Sequence, residues 1–437
     1  MDERRERVVL VGLARSGGDL EESLESLDEL AQLADTAGAD AVDRIVQVRA
    51  TPDPATYVGR GKAKEIVQRA RDLGASAVIF DDELAPAQGR NLEDLAGVNP
   101  LAPDALKIID RTGLILDVFA QHAHSAEGKL QVELAQMNYL VPRLRGWGEV
   151  MSRIGGRGFG GAGAGPGLGT RGPGETKLEV DRRRINRRLT KLRSELKEVE
   201  RTREVKRRQR LRSGIPQVSL VGYTNAGKST LLNALTGAGV LVEDRLFSTL
   251  DPTSRRLELP DGRDVVLTDT VGFVRKLPHQ LVEAFRSTLE QTKDSDLLLH
   301  VIDGSQEEVE ARVQAVDAVL SDIGAADVPR VLALNKADIT PPAARERLRR
   351  LFPEAVFISA VEQEGLSELL DAVAARLSPA SRQAYLEIPF DRADVRSLLY
   401  QEGEVLEERA APEGIRLTVK ASPAVMGRVR EFMVSNP

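Results

Sequence analysis

One eight-residue stretch limits what this 437-residue chain can fold into more than any other. It reads Gly222-Tyr223-Thr224-Asn225-Ala226-Gly227-Lys228-Ser229, directly after the apolar run 217–221 and directly before an amphipathic run over 230–235. The spacing G-x-x-x-x-G-K-S has a mechanism. Its glycines let backbone N–H groups turn inward around phosphate oxygens, and Lys228 reaches the β and γ oxygens. Ser229 can ligate Mg²⁺, and the helix opening at Thr230 adds the partial positive charge of its N-terminus. Such a stretch demands a strand before it and a helix after it.

The residues that follow meet that demand. Short apolar runs at 217–221, 264–268, 297–302, 331–334 and 355–358 alternate with amphipathic stretches, as buried parallel strands and their crossover helices should. Asp261-Gly262 supplies a hairpin turn between 255–259 and the strand from 264. At the end of that strand Asp269-Thr270-Val271-Gly272 offers a carboxylate for Mg²⁺ through water and the Gly272 N–H for a γ-phosphate. Between the two motifs, Phe247-Ser248-Thr249-Leu250-Asp251 presents the Thr249 hydroxyl for the same metal, with Thr253 a rival ligand and a plain surface loop the alternative. Lys228, Thr249 and Gly272 are the catalytic candidates. Base choice falls to Asn335-Lys336-Ala337-Asp338 and then Ser359-Ala360, each after a strand. The Asp338 carboxylate can accept from guanine N1–H and its 2-amino group together, whereas adenine would present an acceptor. A site built on such bonds rejects the wrong base by roughly 10⁴–10⁵, so GTP is expected over ATP.

Ahead of this region, runs at 8–13, 44–48, 77–80 and 107–109 alternate with amphipathic stretches such as 20–37, the rhythm of a small parallel α/β domain. Within it Tyr57-Val58-Gly59-Arg60-Gly61-Lys62 lacks phosphate-loop spacing and reads as a turn capping a helix from Ala63. Leu130, Leu134, Met137 and Val141, then Ile185, Leu189, Leu192, Leu196 and Val199, form two a/d seams able to pack together. Between them fifteen residues from Gly155 to Gly169 are too rich in glycine for helix or core, which predicts the mobile tip of a helical hairpin.

Net charge is -6, which alone argues against a general nucleic-acid binder. From Arg182 to Arg212, however, fifteen basic residues face four acids, a local +11 that leaves -17 for the rest. This unevenness points to a localised polyanion contact, with Arg157, Arg171, Arg182, Arg183, Arg184, Arg187 and Arg188 as candidates. The bland alternatives are a linker and a solvated helix face. Cysteine is absent, which removes disulfides, thiolate zinc sites and a cysteine nucleophile, and the four histidines are scattered. Mean hydropathy of -0.25 and the lack of a long apolar run predict a soluble, cytoplasmic chain with no membrane span. After Pro379 a βαββα pattern suggests a small α+β domain. The expected architecture is α/β overall: an N-terminal α/β domain (1–125), a helical hairpin with glycine-rich tip and basic helix (126–213), a P-loop domain with a mostly parallel sheet (214–380) and a small C-terminal domain (381–437).

Residues 214–378 resemble a translation-factor-class P-loop GTPase. The run Asp110-Arg111-Thr112, Phe119-Ala120-Gln121, the stretch from Glu127 to Gln136, and Gly172-Pro173-Gly174-Glu175-Thr176-Lys177-Leu178-Glu179 resembles the HflX family of ribosome-associated GTPases. That resemblance implies binding to the large ribosomal subunit and its rRNA, splitting of stalled ribosomes under stress, and GTP hydrolysis stimulated by the subunit. It also implies that the glycine loop approaches the peptidyl transferase centre. The chain is expected to be monomeric.

Phe273 stands where a water-orienting glutamine is usual, so intrinsic hydrolysis should be slow, with the missing group supplied by a partner or a cation. Asn225 occupies the position at which related K⁺-stimulated GTPases coordinate K⁺; stabilising the loop backbone is the alternative role. Two other functions stay open from the residues alone. One is a signalling or scaffold GTPase whose basic helix is a solvated coiled coil. The other is an ATP-driven RNA remodeller, against which Asp338 argues.

Overall fold

A computed structural model describes residues 5–97, 105–143, 177–213, 215–237, 246–247, 252–276, 281, 285, 292–377, 382–412, 414–421 and 423–434. Its first half is built on four parallel strands: β1 (Glu6–Ala14), β2 (Ala39–Val48), β3 (Ala77–Phe80) and β4 (Lys107–Asp110), in spatial order β2-β1-β3-β4. Helices α1 (Leu20–Thr36), α2 (Arg60–Asp72), α3 (Pro86–Leu95) and α4 (Arg111–His122) supply the connections, as parallel pairing requires. β1 and β2 run longer than their apolar cores of 8–13 and 44–48, because central β1 pairs on both sides and carries β2 with it. α2 starts at Arg60 rather than Ala63, with Gly59 as its N-cap residue. The Gly59 N–H donates to the Gln47 side chain at 2.9 Å.

Next come α5 (Ala126–Leu140) and the long α6 (Lys177–Ser213). Leu134 and Met137 pack on Ile185, Leu189, Leu192 and Leu196, with Leu130 and Val141 at the margin, so the two seams meet as their spacing demands. The glycine-rich stretch that joins them lies outside the described residues.

The central sheet has six strands: β5 (Gln217–Val221), β6 (Thr253–Glu258), β7 (Asp264–Asp269), β8 (Leu297–Asp303), β9 (Arg330–Asn335) and β10 (Val356–Phe357), ordered β10-β9-β8-β5-β7-β6. All pairs are parallel except β6 with β7, which turn at Gly262 with φ 80°. β10 shrinks to two residues of the expected four, since only Val356 and Phe357 pair with β9. α7 (Lys228–Thr236), α8 (Val309–Asp322), α9 (Pro342–Leu351) and α10 (Leu366–Leu377) complete this unit. α7 begins at Lys228, two residues before the amphipathic run.

The last unit carries β11 (Arg382–Pro389), α11 (Ala393–Glu402), β12 (Gly403–Ala411), β13 (Gly414–Ala421), α12 (Pro423–Arg428) and β14 (Met433–Val434). The helix expected over 423–433 is therefore cut short. After a 3₁₀ turn at Arg430–Phe432, Met433 and Val434 pair with Leu386 and Tyr385 of β11. That extra strand turns βαββα into βαββαβ with antiparallel order β12-β13-β11-β14.

One apolar cluster joins the first and central units. Leu27, Leu30 and Leu33 of α1 and Phe119 of α4 share it with Phe247, Val271, Phe273, Val274 and Phe285. The Phe119 ring stands edge-on to Phe247 at 4.6 Å and to Phe285 at 5.1 Å between centroids.

Candidate nucleotide site

At the carboxyl end of β5, β7, β8 and β9, where a doubly wound sheet leaves its crevice, five separated segments line one cavity of about 280 Å³. Thr224, Asn225, Gly227, Lys228, Ser229 and Thr230 come from the first loop; Phe247, Thr270 and Gly272 from the next two; Asn335, Lys336 and Asp338, then Ser359 and Ala360, from the last two. Ser248, Thr249, Leu250 and Asp251 lie outside the described residues. Thr253, the alternative hydroxyl, is the strand partner of Asp269.

The first loop tolerates few other residues. At Gly222, φ is 150° and a Cβ would stand 2.2 Å from the Val301 carbonyl oxygen; at Gly227, φ is 90° and a Cβ would meet the Asn335 amide nitrogen at 2.3 Å. Asn225 takes the left-handed conformation too, with φ 59°. Lys228 is buried, and its ammonium donates to the loop carbonyls of Gly222 at 3.2 Å and Tyr223 at 2.8 Å. Burial pushes the Lys228 ammonium down to about 8, with Asp269 opposing the shift. A bound phosphate chain would restore its charge.

Ser229 Oγ donates to Asp269 Oδ2 at 2.6 Å, both groups buried beneath the loop. A hydroxyl and a carboxylate side by side are hard oxygen donors suited to Mg²⁺, which keeps most of its remaining ligands as waters and phosphate oxygens. Among the described residues no group of three or more His, Cys, Asp or Glu could hold a metal ion by itself.

Several predicted residues line or border the cavity while their side chains work elsewhere. Thr224 Oγ1 accepts the Phe247 N–H at 2.9 Å, and the Phe247 ring is buried against Phe119. Thr270 Oγ1 donates to the Leu220 carbonyl at 2.6 Å, tying the third loop to β5. Ala226 and Val271 are buried in the two cores. Tyr223 turns away from the cavity and donates its hydroxyl to Glu29 of α1. Asn335 is a brace: its amide donates to the Ala226 carbonyl at 2.9 Å and accepts the Ala360 N–H at 3.0 Å, joining the first and last loops. Lys336, at φ 60°, pairs with Asp303 at 2.8 Å. Ser359 is buried, its hydroxyl accepting the Glu362 N–H at 3.1 Å. Asp338 stands exposed at the open end.

Ile339 and Val361 flank that end at 62% and 72% exposure. Sequence reasoning missed them. Their signal is an apolar residue directly after Asp338 and after Ala360, where nothing in the core asks for one; two such faces suit a planar base.

On α6, Arg183, Arg184 and Arg187 face outward. Arg188 differs from them in having a partner across the helix pair: its guanidinium forms a bidentate pair with Glu133 of α5, Nε to Oε1 at 2.6 Å. Arg157 and Arg171 lie outside the described residues, as does the side chain of Arg182.

Sequence comparison decides the family. Three family models match successive stretches of the chain: "GTP-binding GTPase N-terminal" over 24–120, "GTP-binding GTPase Middle Region" over 122–210 and "50S ribosome-binding GTPase" over 217–336. GTPase HflX of Caldanaerobacter subterraneus subsp. tengcongensis is 45% identical over 433 residues, covering 99% of this chain and 94% of that protein. The chain belongs to the HflX family of GTPases. GTPase HflX of Escherichia coli K12 is 44% identical over 397 residues, 89% and 88% of the two chains. A solved GTP-binding protein from Sulfolobus solfataricus in complex with GDP aligns at 24% identity and a TM-score of 0.42, over 85% of this chain and 99% of that one. As an HflX-family GTPase the chain binds GTP and hydrolyses it, on a P-loop fold that works with Mg²⁺. Phe273, at the position usual for a water-orienting side chain, is buried in the apolar cluster.

Proposed function

We propose that this GTPase is a GTP-switched factor of the large ribosomal subunit that splits stalled ribosomes under stress. The observation that carries the reading is the α5–α6 pair: its inner face is closed by an apolar seam and by Arg188–Glu133, which leaves Arg183, Arg184 and Arg187 directed outward for phosphate contacts. The printed family description, "50S ribosome-binding GTPase", supports it. In the cavity, the N–H groups of Gly222 to Ser229 cradle the phosphates and Lys228 binds the β and γ oxygens. Ser229 and Thr249 would hold Mg²⁺, with Asp269 acting on it through water, while the Gly272 N–H would meet the γ-phosphate and Asp338 would read guanine. Held by these residues, Mg²⁺ would supply positive charge against the charge that develops on the phosphates during transfer. With Phe273 buried, that position offers no group to orient water, so turnover is slow until the subunit or K⁺ at Asn225 supplies one. Equal turnover in KCl and NaCl would remove the cation.

The four-part division at 125, 213 and 380, monomeric state and a cytoplasmic location belong to the same reading; among the described residues no helix is long and apolar enough to cross a membrane. Co-sedimentation of the full chain with large subunits, in a non-hydrolysable GTP analogue but not in GDP, is the expected result, with intact ribosomes splitting by light scattering. Absence of nucleotide-dependent pelleting at modest salt contradicts it and favours a GTPase that acts on protein partners.

A further inference from the structure

One wall of the nucleotide cavity is held in an unfavourable backbone conformation by residues of another unit. Phe247 lines the cavity, and its φ of 60° is a left-handed conformation that a bulky side chain rarely adopts. Such a residue keeps that conformation only where its surroundings over-determine it. The central unit supplies one restraint, the bond from the Phe247 N–H to Thr224 Oγ1 of the first loop at 2.9 Å.

Two more come from the N-terminal unit. The Phe119 ring of α4 stands edge-on to Phe247, 4.6 Å between centroids. One residue earlier, the Leu246 N–H donates to Thr36 Oγ1, on the last residue of α1, at 3.3 Å. The Thr36 hydroxyl spends its own proton within α1, on the Gln32 carbonyl at 2.9 Å, which leaves its oxygen to accept from Leu246. Thr36, Phe119, Leu246 and Phe247 are all buried, so water does not replace either restraint.

The helices that carry these two residues are themselves fastened beside the cavity. Arg111, at the start of α4, is 1% exposed, and its guanidinium pairs with Asp81 at 2.7 Å and with Glu29 of α1. Glu29 accepts the Tyr223 hydroxyl of the first loop, and Asp81 accepts the Lys276 ammonium, just beyond the third loop, at 2.6 Å. Thr36 and Phe119 therefore reach the second loop from a fixed frame.

We propose that Thr36 and Phe119 are positioning residues of the nucleotide site, which hold Leu246 and Phe247 in the backbone conformation that binds GDP and GTP alike. The proposal rests on the assignment of this cavity to the nucleotide. Released from either restraint, Phe247 relaxes toward an ordinary conformation, and apparent affinity falls with the fraction of molecules that keep the competent one.

The experiment measures affinities for GDP and a non-hydrolysable GTP analogue, with thermal midpoints alongside, for the full chain and for Thr36→Val, Thr36→Ser, Phe119→Leu and Ile66→Val. Thr36→Val and Phe119→Leu each weaken both nucleotides about fivefold or more. Thr36→Ser, which keeps the hydroxyl, stays near wild type. Ile66 belongs to the apolar core on the other face of the N-terminal sheet, so Ile66→Val lowers the midpoint and leaves both affinities alone. Affinities within about twofold of wild type in Thr36→Val or Phe119→Leu overturn the role of that residue, and a loss in Ile66→Val as large as theirs overturns both, because general destabilisation then accounts for it. Wild-type protein that binds neither nucleotide overturns the site assignment instead.

Discussion

Lys228 is the residue whose chemistry the fold alters most directly. Enclosed under the loop, its ammonium is pushed down to about 8, while the phosphates it serves favour the charged form. Below that pH the lysine already carries its proton; above it, each binding event must take one up. GTP affinity should therefore hold steady from pH 7 to 8 and then fall about tenfold per pH unit. Fluorescent-nucleotide titrations across pH 7 to 9.5 read this directly, and a flat profile contradicts it. The identity of Lys228, Ser229, Asp269 and Asp338 as neighbours is legible in the sequence because each spacing encodes a mechanism: a glycine loop between strand and helix, a carboxylate at a strand end. Where Tyr223 points is not. Its partner Glu29 lies 194 residues away, and no local pattern announces so distant a bond. The pairing of Arg188 is hidden for a related reason, since an arginine among arginines looks like its neighbours until Glu133 is found opposite it.

At the scale of elements, periodicity carried well wherever one face is buried. The two helix seams meet as spaced, and Leu192, fully buried at their centre, tests the consequence. Leu192→Ala should destabilise the pair by about 2–5 kcal/mol while leaving GDP affinity within about twofold, because none of the described nucleotide-loop residues belongs to its apolar cluster. Thermal melts and nucleotide titration on the same protein check both halves; a large loss of GDP binding would show that the pair supports the cavity. The short C-terminal strand was hidden for the opposite reason. Met433 and Val434 have only two residues in which to alternate, and their pairing with β11 depends on a chain reversal that a 3₁₀ turn provides.

For the whole molecule, the average charge conceals more than it tells. An acidic body carries one basic helix, and attraction to rRNA phosphates should be steeply salt-dependent. Replacing Arg183, Arg184 and Arg187 together by glutamine should weaken binding to large subunits and flatten the log-affinity against log-salt slope by about two to three units. Arg188→Gln should instead loosen the helix pair with little change in slope. An unchanged slope in the triple variant would place the contact elsewhere.

The buried guanidinium has one more consequence, for the order in which the protein assembles. The partners of the buried Arg111 guanidinium at the start of α4, Glu29 of α1 and Asp81 just after β3, are encoded within the first 111 residues, and domains generally fold as units beginning at the amino terminus during synthesis. Tyr223 and Lys276 emerge much later. The N-terminal unit thus stands ready as a template whose paired acids await a tyrosine and a lysine, and the phosphate loops are shaped against a surface completed before they exist.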